Sequence, residues 1–203
     1  MKTHNEHTGA NRPPRAVNIP SLQERQEFWS WGYANEAFEN VLEACGFISN
    51  PPQPLSKAVW RILYTGIITT YARPFTKSFG GHRLPLEIVP EEHVKLHEAI
   101  MQTRHKEIAH VDATTYQADD PQIGNINQIR ITMTKDHNSL AVVHMTCPIP
   151  EIKQLTRQLL KKAEYHVGKF RRKYIDNSML PPGDYKLNLD QMGLPLFIGV
   201  KRL

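Results

Sequence analysis

Apolar residues from Leu22 to Cys45 (Leu22, Phe28, Trp31, Phe38, Val41, Leu42, Cys45) fall at helical spacing, separated mostly by three residues or by six to seven, about two turns. That is the spacing of one buried helix face. Ser21, followed three residues later by Glu24, has the form of a capping box. A first helix is therefore predicted from Ser21 to about Phe47, and Asn50-Pro51-Pro52-Gln53-Pro54 stops it. Leu55, Val59, Ile62, Leu63, Ile67 and Tyr71 predict a second helix, which Arg73-Pro74 ends or kinks, because proline disfavours the α conformation just before it. Gly80-Gly81-His82-Arg83 reads as a loop. Pro90, with Glu91 and Glu92 behind it, opens a third helix, and Val94, Leu96, Ile100, Met101 and Ile108 supply its apolar positions.

The period then changes. Residues 113–125 are polar and turn-rich, and Ile126 to Lys135 alternates like a strand. Asp136-His137-Asn138 is a turn, and Leu140 to Thr146 is a second strand. Pro150 starts a fourth helix, Glu151 to Tyr174, whose core-facing row is Ile152, Leu155, Leu159, Ala163, Val167, Phe170 and Tyr174. The fold class expected is mainly α: an antiparallel four-helix bundle with an inserted β-hairpin. Residues 1–20 form a flexible arm, 21–175 the helical domain with the hairpin at about 126–146, and 176–203 a C-terminal extension with one short strand between Pro195 and Val200. No internal repeat occurs.

Composition changes this picture little. The chain has 203 residues, 40% of them hydrophobic, which suffices for one packed domain. Cys45 and Cys147 lack zinc-ligand or disulfide-framework spacing, so both are expected to be reduced and structural. Met1 to Pro20 contains no signal-type apolar run. The segment Leu55 to Tyr71 is too short and too charged to span a bilayer. A cytoplasmic setting without membrane contact is the expectation.

Charge changes it more. The net charge is +5. Residues 151–173 carry eight Lys/Arg (153, 157, 161, 162, 169, 171, 172, 173) against Glu151 and Glu164. The rest of the chain is close to neutral. A basic stripe of this kind can track a phosphate backbone, with Lys161 and Lys162 at its centre. It can equally be a solvated face whose cations suit the helix C-terminus.

The densest chemistry lies in Arg104-His105-Lys106-Glu107-Ile108-Ala109-His110. Arginine holds a phosphate bidentately and keeps its proton, whereas histidine exchanges one near neutral pH. Metal-free ribonuclease chemistry needs a base for the 2′-hydroxyl, a cation for the phosphorane and an acid for the leaving oxygen. His110 suits proton transfer, Arg104 suits charge stabilisation, His105 can orient the phosphate, and Lys106 can hold a flanking one. In a straight helix Arg104 and His110 point about 120° apart. Either the helix loosens before His110, or a second copy completes the cleft across a two-fold axis. The same residues could instead serve the helix dipole alone.

Arg104, the polar His105 and His110, with Val111-Asp112 following, resemble the signature of the HEPN superfamily of small helical domains. The motif's place late in a helical bundle, before a long helix, is also similar. The resemblance implies a metal-independent endoribonuclease with Arg104 and His110 as the catalytic pair and His105 in support. It also implies a homodimer with the motif at its interface, no cofactor, RNA as substrate, and a role as a toxin with an antitoxin-like protein partner or in phage defence. The hairpin and the C-terminal extension depart from a minimal family domain. Some members bind nucleotide or act as scaffolds, so a non-catalytic nucleotide- or partner-binding module is the alternative, and the hairpin edges could recruit a partner by strand addition.

Other constellations are weaker. His93 and His97 share a helix face at zinc-ligand spacing, but Val94, Lys95 and Leu96 between them supply no HExxH glutamate. A surface or interface pair is expected, and no metal. Trp29, Trp31 and Phe38 could form a base-stacking platform, but their helical spacing makes them core or interface residues first. No P-loop, GxGxxG or GxSxG element occurs.

Overall fold

The computed structural model describes residues 19–76, 83–105 and 147–176, and strand backbone at 116–117, 125–126, 128–133, 138–143, 184–186 and 196–199. The fold is mainly α. Four α-helices run in the described residues: α1 (Leu22–Ser49), α2 (Lys57–Ala72), α3 (Val94–Thr103) and α4 (Ile149–Arg171). Helix α1 packs against both α2 and α4, and α2 packs against α3. None of the described helices is long and apolar enough to cross a membrane.

The start of α1 follows from two side chains. Ser21 Oγ accepts from the Glu24 backbone N–H at 3.3 Å, and Glu24 Oε2 accepts from the Ser21 N–H at 2.9 Å. This satisfies N–H groups that the first helical turn cannot pair internally. Trp31, Ala34, Phe38, Val41 and Cys45 then line one face and are buried in the common core. Asn50 ends the helix, its N–H returning to the Gly46 carbonyl. Ser56 caps α2 through the Val59 N–H. As expected, Arg73-Pro74 ends α2, and the chain tightens there into a 3₁₀ turn, Arg73–Phe75.

Two expected helix faces differ in the structure. In α2, Val59 and Ile62 are exposed, while Tyr64, Ile67, Ile68 and Tyr71 are buried. The core-facing row is thus rotated from the predicted one. In α3, a 3₁₀ turn over Glu91–His93 precedes the α-helix, which starts at Val94. His93 and His97 are buried, not a surface pair. His97 meets Tyr71 of α2, and His93, in the preceding 3₁₀ turn, meets Gln158 of α4, so both rings lie beside polar partners.

Of the expected face of α4, Ile152, Leu155, Leu159 and Ala163 are buried and Val167 and Phe170 half-buried, while Tyr174 is buried just past the helix. It continues into a π-helical turn over Arg172–Asp176. The strands are short. The backbone of β1 (Tyr116–Gln117) pairs antiparallel with β2 (Asn125–Ile126), and that of β3 (Gln128–Met133) with β4 (Asn138–Val143). Strand β5 (Asp184–Lys186) pairs with β6 (Leu196–Gly199), within the segment expected to hold one short strand.

Candidate functional site

The C-terminal end of α3 is fixed by buried polar contacts. Thr103 is almost fully buried, and its hydroxyl donates to the Ala99 carbonyl at 2.8 Å. The same oxygen lies 3.9 Å from Cys147 Sγ, just before α4. The Cys147 N–H donates to Tyr64 Oη at 2.6 Å. Three elements therefore converge where α3 ends: α3 through Thr103, α2 through Tyr64, and the lead-in to α4 through Cys147. A buried N–H without an acceptor costs free energy, so Tyr64 holds this junction closed.

Arg104 follows at once. Its backbone N–H is shared between the Ile100 and Met101 carbonyls, and Arg104–His105 turn in a wider π-type coil. Such widening turns the chain less per residue than an α-helix and recurs at functional sites. Arg104 is half-buried and His105 exposed. The expected partners His110 and Lys106 lie outside the described residues. Nearby in sequence to the junction, Glu151 sits in the first turn of α4, one helical turn after Cys147. Its Oε2 is buried without a hydrogen-bond partner among the described residues. The sequence marks Glu151 as the start of the fourth helix and as one of its two acidic residues, and nothing in its local pattern signals the buried oxygen.

Lys161 and Lys162 stand elsewhere, about 20 Å along α4 from Cys147 by helical rise. The structure brings them together at one hollow of about 380 Å³, with Trp31, Gln158, Tyr165 and His166. Lys161 is exposed. Lys162 Nζ donates to the Ile88 carbonyl at 2.7 Å, so it clamps the 3₁₀ turn Leu86–Ile88 onto α4. A second hollow of about 120 Å³ opens on the other side of His166, between Phe28, Trp31, Lys169 and Lys173.

The wall between them is an aromatic stack. The Trp31 and His166 rings lie parallel, 3.9 Å apart. Phe28 stacks on Phe170 at 4.1 Å. Desolvation against Trp31 pulls His166 below its ordinary pKa, and Glu27, 4.0 Å away, opposes that pull. At the end of this seam Lys173 donates to Glu24 at 2.6 Å. Its ammonium, with help from Tyr174 and Ser21, holds the Glu24 carboxyl far below the usual range. Of the three aromatic residues singled out in the sequence, Phe38 and Trp31 are buried, and Trp29 is exposed beside Tyr33.

His93, just before α3, and His97 within it have a structural setting. His97 Nδ1 is 2.9 Å from Tyr71 Oη, and its ring meets Phe75 edge-on at 4.6 Å. Burial lowers its pKa to about 4. His93 Nε2 lies 3.3 Å from the Gln158 amide. Among the described residues no three His, Cys, Asp or Glu side chains gather as a metal site. Cys45 and Cys147 are both free thiols in the core, and burial pushes Cys45 up to about 11. A scan of family models and searches of curated proteins and solved structures find no match to this chain.

Proposed function

We propose that the chain is a metal-independent endoribonuclease of the HEPN type. It would be an antiparallel four-helix bundle with the hairpin inserted at about 126–146, acting in the cytoplasm as a homodimer. The observation that carries the reading is the placement of Arg104 and His105. They stand on the widened turn that ends α3, and the Thr103–Cys147–Tyr64 contacts brace that turn against the start of α4. A guanidinium on a braced turn is pre-organised to meet a phosphate, which is where electrostatic catalysis gains most.

The chemistry needs no cofactor. The ribose 2′-oxygen attacks phosphorus as a base removes its proton, and the P–O5′ bond breaks as an acid protonates the leaving oxygen. The products are a 2′,3′-cyclic phosphate and a 5′-hydroxyl. His110 moves the proton, Arg104 neutralises the phosphorane charge, and His105 orients the phosphate. The partner copy supplies a second such set across the two-fold axis, and an antitoxin-like protein covering that cleft would silence the enzyme.

The test is to incubate the full chain with RNA in excess chelator beside Arg104→Ala and His110→Ala. Each substitution is expected to lower cleavage roughly 100-fold or more, with cyclic-phosphate ends on the wild-type products. Equal activity in all three proteins would remove these residues from the mechanism.

A further inference from the structure

Lys153, Arg157, Lys161, Tyr165, Lys169 and Lys173 follow one another at intervals of four along α4. Successive members stand about 6 Å apart along the axis and about 40° apart around it. The row is therefore a ridge that winds across the face opposite the core. From Arg157 to Lys169 it spans about 18 Å and about 120° of arc. Those four side chains are exposed, Tyr165 by 63%. Among the described residues Arg157, Lys161 and Lys169 have no salt-bridge partner. Lys173, by contrast, is neutralised by Glu24, and Lys162 spends one ammonium proton on Ile88.

Beside the ridge lie the two hollows described above. The larger, about 380 Å³, is of the size that holds small planar ligands. The Trp31–His166 stack forms the wall between them, and the Tyr165 ring meets His166 edge-on at 5.5 Å. An exposed aromatic ring is thus fixed beside a recess, with unpaired cations one helical turn before and after it. Isolated surface lysines would attract any anion. A ring held between two of them adds a flat apolar face, which favours a polyanion that carries stackable bases. Single strands offer that combination, whereas duplexes keep their bases stacked inside.

We infer that this ridge and its flanking hollows bind single-stranded RNA, with a base stacked on Tyr165 and phosphates on Arg157, Lys161 and Lys169. The site rests on the ribonuclease reading for its choice of RNA, and it deepens that reading. The N-terminal end of α4, beyond Lys153, follows directly on Cys147, whose Sγ lies 3.9 Å from Thr103, the residue before Arg104. A strand laid along α4 runs along the helix whose N-terminal end adjoins the junction where cutting is proposed. Glu164 and Glu27 border the path and limit how closely phosphates approach on those sides.

The experiment measures binding of a short labelled oligouridylate to the full chain in chelator, as a function of salt. Tyr165→Ala is expected to weaken binding roughly tenfold, while Tyr165→Phe, which keeps the ring, retains it. The double substitution Lys161→Ala, Lys169→Ala should reduce the slope of log affinity against log salt by about 1.4, since each single-strand phosphate contact contributes about 0.7. Arg104→Ala, read for cleavage in parallel, separates the two claims. If Tyr165→Ala loses binding and the wild type cuts no RNA, the ridge stands and the nuclease reading falls. If cleavage depends on Arg104 while neither ridge variant changes binding, the ridge is overturned. Tighter binding of duplex RNA than of the single strand, or equal competition by an acidic peptide of matched charge, would also overturn it.

Discussion

Among the described residues His97 and His166 sit against aromatic rings, and the protein treats them in opposite ways. His97 lies inside the α2–α3 contact, bonded to Tyr71 and edge-on to Phe75, and burial holds it neutral down to a pKa of about 4. His166 lies on the α1–α4 seam, face-on to Trp31, half-buried, with Glu27 and Lys169 as its charged neighbours. The interior contact spends its polar groups on one another. The seam leaves them at the edge of two hollows, in reach of an incoming ligand. Residue type thus says less about role than the number of helices that close over it.

The comparison breaks first in the interior. Phe38 is fully buried where α1 meets Tyr71 and Phe75. Phe38→Ala should cost about 3–5 kcal/mol, read by chemical denaturation, because the lost contacts leave a cavity among rigid neighbours. A loss under about 1 kcal/mol would show that this core collapses freely and would weaken the contrast with the seam.

The next test is acidification. The folded pKa of His97, about 4, lies below the ordinary value of 6.5. Above that ordinary value both folded and unfolded chains hold a neutral ring, and its contribution to stability is fully present. As the pH falls from 6.5 toward 4, the unfolded chain binds a proton that the fold refuses, so stability declines. Below about 4 this contribution levels off. The loss attributable to His97 should be about 2 kcal/mol after allowing for partial solvent contact. His97→Gln keeps a polar group for Tyr71 and should flatten the decline within that window, measured by thermal melts across pH. His166 also shifts downward, but its exposure leaves little stability to be lost there.

The smallest effect belongs to the seam's end. Ser21→Ala removes the cap that α1 shares with Glu24, and about 1 kcal/mol should go with it. A melt unchanged by this substitution would mean that the Glu24–Lys173 pair holds the helix start by itself.

The helix starts were legible because they are local. Ser21 with Glu24 needed only three residues of context, and Pro150 with Glu151 little more. The face of α4 was legible because charged residues alternate with its apolar row and fix its phase. The face of α2 was not. Val59, Trp60, Ile62, Leu63, Tyr64, Ile67 and Ile68 surround the helix with apolar groups, so only the neighbours that pack on it decide which of them are buried. His93 and His97 failed for the same reason, because the Tyr71 and Gln158 partners that make burial tolerable come from other helices. At the candidate site, the guanidinium of Arg104 was legible from residue type, but the brace behind it was not. Tyr64, Thr103 and Cys147 are far apart in sequence, and nothing in their spacing announces that they meet.

The bond between Glu24 and Lys173 joins residues 149 positions apart. It ties the first turn of one long rod to the last turn of another, so the chain enters and leaves the helical unit at a single pole. Ser21 and Asp176, which bracket the described helical unit, therefore stand at the same end of it.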